Sequence, residues 1–248
     1  MKHIELIVEI GINWGGDLLL AKRLIETVKT VGANTAKFQL YDPRKLFPNG
    51  EVIARGRNWY EDILWMKDFG EKEVKELKNY CSELDLDFLC SSFDLEGLAI
   101  LERIGVKRHK IATRMNQNFN YIQAVIDTGK EILLSCELDW SVPTPPFYLP
   151  LYRTKFLYCV PEYPTPLNHL SIPLFKRLEG NIEGWNGFSD HTIGPEASMI
   201  AMARGATIVE KHFSLDPSSK AGPDHICSAS PEEMRRLVEF ARKVEQIL

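Results

Sequence analysis

Short runs of β-branched and apolar residues alternate with longer stretches of helical periodicity from one end of the chain to the other. IELIVEI, NTAKFQ, LDFLCSS, RHKIAT, EILLS, KFLYCV, GFSDH and ATIVEKHF each read as a strand. With amphipathic segments between them, they predict repeated βα units closing on a parallel sheet. Eight strands close a TIM (β/α)8 barrel, so an α/β fold of that class is expected. The helical segments carry their own punctuation. Asp17 opens DLLLAKRLIETVKTVG and Asp94 opens DLEGLAILERIG, with Gly32 and Gly105 as C-terminal caps. The last helix begins at SPEEMRRLVEF, where Ser230 is the N-cap, Pro231 takes the first helical position and Glu233 completes a capping box.

Two connections break the repeat. CELDWSVPTPPFYLPLYRT, between strands five and six, holds Pro143, Pro145, Pro146 and Pro150, which no regular helix accommodates. Helix five is therefore expected to be missing or replaced by a proline-rich loop. The flank opened there, near Trp140, Phe147 and Tyr148, would be covered by the loop itself or by another subunit. After strand two, DPRKLFPNGEVIARGRNWYEDILW is too long for a simple connection, and long βα loops tend to carry function.

Composition narrows the partners. At 248 residues, with 44% hydrophobic and 26% charged residues, the chain can bury a full core. A formal net charge of -4 offers no basic stripe for nucleic acid. No apolar run approaches the roughly 20 residues needed to cross a bilayer, and the N-terminal strand pattern lacks a signal-peptide cleavage site, so a cytoplasmic protein is expected. Cys81, Cys90, Cys136, Cys159 and Cys227 are odd in number and lack C-x-x-C spacing, which favours reduced, buried thiols over disulfides or structural zinc.

In a TIM barrel the active site lies at the C-terminal ends of the strands. Here those ends supply Glu9 and Asn13, then Lys37 and Gln39, Ser91 and Ser92, Lys110 and Thr113, and Ser135. Strand six leads to Tyr163, strand seven to Ser189, Asp190 and His191, and strand eight to Glu210 and His212. A lysine within an apolar strand needs a partner for its charge. Lys37 and Lys110 therefore suggest a shared phosphate or carboxylate ligand at the mouth, or else an internal ion pair such as Lys37 with Glu9. Alone, either histidine is more often a satisfied core or capping residue than a ligand. Together, at the ends of adjacent strands, His191 and His212 could share one divalent ion, its shell completed by water or by a carboxylate such as Glu9. Asp224, in AGPDH, is either a turn residue or a carboxylate of the last loop.

The segments EIGIN, AKRLIETVKTVGANTAKFQ, GFSDHTIGPEA, GATIVEKHFSLD and GPDH, in this order, resemble the sialic acid synthase family. Its members condense phosphoenolpyruvate with an amino sugar to give nine-carbon ulosonic acids. The resemblance implies a TIM barrel and a divalent metal, manganese with magnesium or cobalt as alternatives, on His191 and His212. It assigns phosphoenolpyruvate contacts to Lys37, Ser91, Lys110, Thr113, Ser135 and Ser189. Gln39, Tyr163 and Asp224 would face the acceptor sugar, and Glu9 matches the acidic residue at the catalytic centre.

The departures fall on the acceptor side. The family reads NHNGD or NHEG after strand one, where this chain has NWGGD, placing Trp14 and Gly15 at the expected edge of the site. KIATRMNQN puts Met115 where an acceptor-binding glutamate is expected and brings in Arg114, which would meet an acidic or phosphorylated sugar. CVPEYP puts Pro161 at an amide or hydroxyl position. Residues 1–248 are expected to form a single TIM-barrel synthase domain without the family's C-terminal antifreeze-like domain. A homodimer, or a partner chain covering the helix-five gap or supplying that domain, follows as an expectation. Two competing readings are a metal-dependent keto-acid aldolase or lyase, and an inactive barrel acting as a binding subunit.

Overall fold

The computed structural model describes residues 3–54, 56–139, 149–175 and 184–247. Eight parallel strands close a barrel: β1 (Glu5–Gly11), β2 (Thr35–Leu40), β3 (Asp87–Ser92), β4 (Arg108–Ile111), β5 (Glu131–Cys136), β6 (Thr154–Cys159), β7 (Gly187–Asp190) and β8 (Ile208–His212), with β8 pairing back to β1. All eight expected strands are present. The main helices are α1 (Leu18–Val31), α2 (Glu71–Glu83), α3 (Leu95–Arg103), α4 (Phe119–Asp127), α5 (Glu196–Ala203) and α6 (Pro231–Ile247).

Strand alternation builds the interior in layers. Ile7, Leu89, Leu133, Leu157 and Ile208 form an apolar plug inside the barrel. Two residues further along the same strands stand Glu9, Ser91, Ser135, Cys159 and Glu210, all buried. The floor of the mouth is thus apolar and the next layer polar. Outward-facing Leu6, Val8, Ile10, Ala36, Phe38 and Val209 pack in the main core beneath the helices.

The expected caps form where the local chemistry asks for them. Asp17 accepts from the amides of Leu19 and Leu20, and Gly32 closes α1 at φ 83°. Asp94 accepts from the Gly97 amide at 2.7 Å. Ser230 and Glu233 exchange reciprocal bonds of 2.8 and 3.2 Å at the start of α6.

The segment after β2 folds into the short helices Pro43–Leu46 and Tyr60–Ile63 and a hairpin pairing Ile53–Ala54 with Arg57–Asn58. The proline-rich stretch expected to replace helix five, with Trp140, Pro143, Pro145, Pro146, Phe147 and Tyr148, lies outside the described residues. From Pro150 a single 3-10 turn, Leu151–Arg153, leads into β6. All five cysteines are free and buried. Among the described residues no helix is long and apolar enough to cross a membrane.

Candidate active site

The polar layer opens into one cavity of about 450 Å³ at the C-terminal end of the barrel. Every residue to which a catalytic, substrate-binding or metal role was assigned lines it. Glu9, Lys37 and Gln39 enter from β1 and β2, and Ser91, Lys110 and Ser135 from β3, β4 and β5. Thr113 and Arg114 follow β4, Tyr163 follows β6, Ser189 and His191 come from β7, and His212 and Asp224 from β8 and its loop.

Other strand-end residues turn away. Ser92 meets the Tyr121 hydroxyl at 2.8 Å behind the barrel wall. Asn13 donates to the Phe213 carbonyl and to Ser228 Oγ, both at 2.9 Å, tying β1 to the β8 loop. Trp14, expected at the edge of the site, is buried in the core instead. Its ring meets Trp65, Phe69 and Phe38 at centroid distances of 4.5, 4.9 and 6.5 Å. Apolar burial against the β2 insertion outcompetes a polar rim for an indole. Gly15 is exposed, in the left-handed region at φ 58°. Met115 likewise joins the apolar cluster around Ile122 and Leu134 and does not line the cavity.

Both readings of the lysines find support in the geometry. Lys37 Nζ lies 2.8 Å from Glu9 Oε2 and 3.6 Å from Glu210 Oε2, and Lys110 Nζ lies 3.6 Å from Glu210 Oε1. Gln39 donates to Glu9 at 2.7 Å, Lys110 to Ser135 at 2.8 Å and Ser189 to Glu210 at 2.9 Å. Burial opposes charge on Lys37, but Glu210 and Glu9 outweigh it and hold the ammonium above its ordinary pKa. Burial prevails at Lys110, which is drawn below the ordinary lysine value despite Glu210. Burial also opposes charge on Glu210, yet Lys110 and Lys37 bring it down to about 2. Ser91 Oγ is buried with no hydrogen-bond partner among the described residues. Such a hydroxyl beside two ammonium groups is suited to an anionic ligand.

At the level of sequence Glu210 is only a strand-end residue with no role assigned. The readable signal was parity: Glu210 stands two residues before His212, as Ser189 stands two before His191, so each pair shares one strand face.

The imidazoles of His191 and His212 converge with ring centroids 5.6 Å apart, and the Tyr163 ring stacks on His191 at 4.0 Å. His191 Nδ1 lies 2.8 Å from the Val160 carbonyl, which leaves Nε2 toward the cavity as the remaining donor atom. Burial lowers the His191 pKa, but Cys159, its sulfur 3.8 Å away, and the Val160 carbonyl reverse that direction and raise it. Burial, then His191 and the nearby lysines, push His212 well below its ordinary value, so its imidazole is neutral. Its buried Nδ1 has no hydrogen-bond partner among the described residues, and Asp224 Oδ2 stands 3.8 Å off. Nε2 of His191 and the neutral imidazole of His212 together offer two nitrogen donors suited to a divalent ion of borderline softness, whose binding would displace any proton on His191. Among the described residues no group of three or more His, Cys, Asp or Glu is arranged to hold a metal, so water or substrate oxygens would complete the shell.

The long connection after β2, expected to carry function, supplies one wall whose apolar character its sequence does not announce. Leu46, Phe47, Val52, Ile53, Ala54 and Ile63 of the β2 insertion form an apolar side of the cavity. The Arg114 guanidinium sits 4.7 Å over the Phe47 ring and links this wall to the β4 loop. Pro161 also lines the cavity.

The fold and the site define a TIM barrel with a polar, charge-lined mouth. Residues 24–248 match the NeuB family, and the chain belongs to it. It is 30% identical over 262 residues to N,N'-diacetyllegionaminic acid synthase of Campylobacter jejuni, an alignment covering 100% of this chain and 78% of that protein. It is 31% identical over 253 residues to N-acetylneuraminate-9-phosphate synthase of Drosophila melanogaster, covering 96% of this chain and 67% of that one. Among solved structures, N-acetylneuraminic acid (sialic acid) synthetase from Leptospira borgpetersenii, in complex with citrate, superposes with a TM-score of 0.83 at 27% identity, covering 99% of this chain and 85% of that one.

Proposed function

We propose that this protein condenses phosphoenolpyruvate with a sugar aldehyde, giving a 2-keto-3-deoxy acid of the ulosonic type and inorganic phosphate. The observation that carries the reading is the convergence of Lys37, Lys110 and the hydroxyls of Ser91, Ser135 and Ser189 on the cavity that the paired imidazoles also line. That is an anion cradle next to a pair of metal donors. Thr113, at the start of the β4 loop, adds a hydroxyl to the same cradle.

Carbon 3 of phosphoenolpyruvate forms the new bond to the aldehyde carbon. The oxocarbenium left at carbon 2 takes up water, and the tetrahedral adduct releases phosphate by cleavage of the bond between carbon 2 and the ester oxygen, the carbon-2 hydroxyl giving its proton to the departing phosphate as the ketone forms. A divalent ion held by His191 and His212, manganese by family resemblance, would polarise the aldehyde oxygen. Lys37 and Lys110 hold the carboxylate and phosphate of phosphoenolpyruvate and balance charge as the phosphate departs. The aldehyde oxygen gains a proton and the attacking water loses one. A single carboxyl relaying between them leaves the charge of the site unchanged, and Glu9, held by Gln39 and Lys37, has that role. Gln39, Tyr163 and Asp224 bind the acceptor, and Arg114 beside the Phe47 wall receives an acidic or phosphorylated substituent.

The test is phosphate release from phosphoenolpyruvate with added manganese across hexosamine, hexose and pentose acceptors, neutral and phosphorylated. Release that requires both acceptor and metal and is lost in His212→Ala is the expected result. Absence of release with every acceptor, despite bound metal, overturns the synthase reading.

A further inference from the structure

We infer that the buried Asp190–Lys211 ion pair, on the outer face of β7 and β8, is a positioning device that fixes the mutual placement of His191 and His212. The inference rests on the metal-site reading above and concerns residues that do not face the cavity.

The two strand ends form a ladder of polar rungs. In the β7–β8 register Ser189 stands opposite Glu210 and Asp190 opposite Lys211. The next residue on each strand is a histidine. Because side chains alternate, the first and third rungs face the mouth and the middle one faces the helices. Ser189 donates to Glu210 at 2.9 Å inside, and Lys211 Nζ lies 3.2 Å from Asp190 Oδ2 outside.

That outer pair grips the backbone just beyond His191 from both sides. Asp190 Oδ1 accepts from the Thr192 amide and the Thr192 hydroxyl, both at 2.8 Å, while Lys211 Nζ donates to the Thr192 carbonyl at 2.5 Å. Ser198 Oγ, on α5, donates to Asp190 Oδ2 at 2.5 Å and ties the pair to the helix layer. His191 therefore sits between two residues of one closed hydrogen-bond cycle whose cation comes from the residue preceding His212. Neither strand end can slide or rotate relative to the other without breaking a buried bond.

Stability alone is a poor account of this pair. Side-chain exposure is 1% for Lys211 and 0% for Asp190, and a fully buried ion pair gains little over apolar residues of similar volume. The other outward positions of β1 and β8 are apolar, as in Val8, Ile10 and Val209. The ion pair differs from those residues in directionality: it fixes a register and an angle, which a two-imidazole metal site needs and a core does not.

The test uses Mn²⁺ alone as probe. Free Mn²⁺ is followed by EPR during titration of wild type and of Lys211→Met, with folding checked by thermal melting. Asp190→Asn/Lys211→Met, which removes both charges yet keeps an acceptor for the Thr192 amide, serves if the single variant does not fold. The expected result is a folded variant that binds Mn²⁺ about tenfold or more weakly. A changed visible absorption of bound Co²⁺ should accompany it, and a general loosening of the fold would not move that signature. Affinity and spectrum equal to wild type in a folded variant overturn the inference alone. A wild-type protein that binds no divalent ion overturns the metal-site reading and this inference with it.

Discussion

Glu210 divides its carboxylate between two ammonium groups, 3.6 Å from each, and takes a hydrogen bond from Ser189. It thus occupies the charge that an anionic substrate would need from Lys37 and Lys110. Glu210→Gln leaves the buried lysines with Glu9 as their remaining carboxylate partner, a change expected to cost about 3 kcal/mol in phosphate-free buffer. Added inorganic phosphate should recover much of that loss by binding the freed ammonium groups. Melting curves with and without phosphate decide it, and an equal loss in both buffers would show that Glu210 and phosphate do not compete. Arg114 gives a second prediction at this scale. A charge-assisted contact is worth about 1.5 to 3 kcal/mol, so Arg114→Ala should raise KM for an acidic or phosphorylated acceptor roughly tenfold to a hundredfold. KM for a neutral acceptor should stay nearly constant; parallel changes for both would place Arg114 outside acceptor recognition.

Elements were legible wherever the signal is local. Caps at Asp17, Asp94 and Ser230 and the eight strand runs follow from propensity and period-two or helical patterning. Asp17→Ala, which removes the acceptor of the Leu19 and Leu20 amides, should cost about 1 kcal/mol in urea unfolding. Glu9, Lys37, Lys110, His191 and His212 were legible too, because a charged or imidazole side chain at a barrel strand end has one place to go. The length of the β2 insertion marked it as functional, but the apolar wall it forms was not legible. Its helices and hairpin are too short to carry periodicity, and their packing is set by distant partners such as Trp14 against Trp65. Trp14 itself was misplaced for the same reason. Close approach of strands is a further feature that sequence hides. A Cβ on Gly187 would overlap the Ile208 carbonyl oxygen across the β7–β8 pair. Gly187→Ala should therefore destabilise by about 2 kcal/mol or more, and it should weaken Mn²⁺ binding at the other end of the same two strands. A stability equal to wild type would show that the strands can part without cost.

For the molecule as a whole, stability is tied to pH by His212 at the mouth and also by imidazoles outside the cavity. His109 is 1% exposed, its Nε2 lies 2.8 Å from Glu102 Oε1, and its buried Nδ1 has no hydrogen-bond partner among the described residues. Protonating Nδ1 would create a buried donor with nothing to receive it. Burial accordingly pushes the His109 imidazole below its ordinary 6.5, against the pull of Glu102. Burial likewise lowers His225, whose Nδ1 meets Ser214 Oγ at 2.8 Å. With folded values below unfolded ones, the unfolded chain binds more protons as acid is added. The stabilisation is therefore complete above about pH 6.5 and declines as pH falls toward the folded values. Glu102 adds a lower window: burial would raise it, but Lys130 and His109 hold it below 4.5, so its contribution is present above that value and lost beneath it. Urea midpoints measured at about pH 7.5 and about pH 5.5 should fall on acidification, and His109→Gln, which can still donate to Glu102 but cannot protonate, should flatten that fall. An unchanged pH slope in His109→Gln would move the acid sensitivity to other groups, with His225 the next to replace.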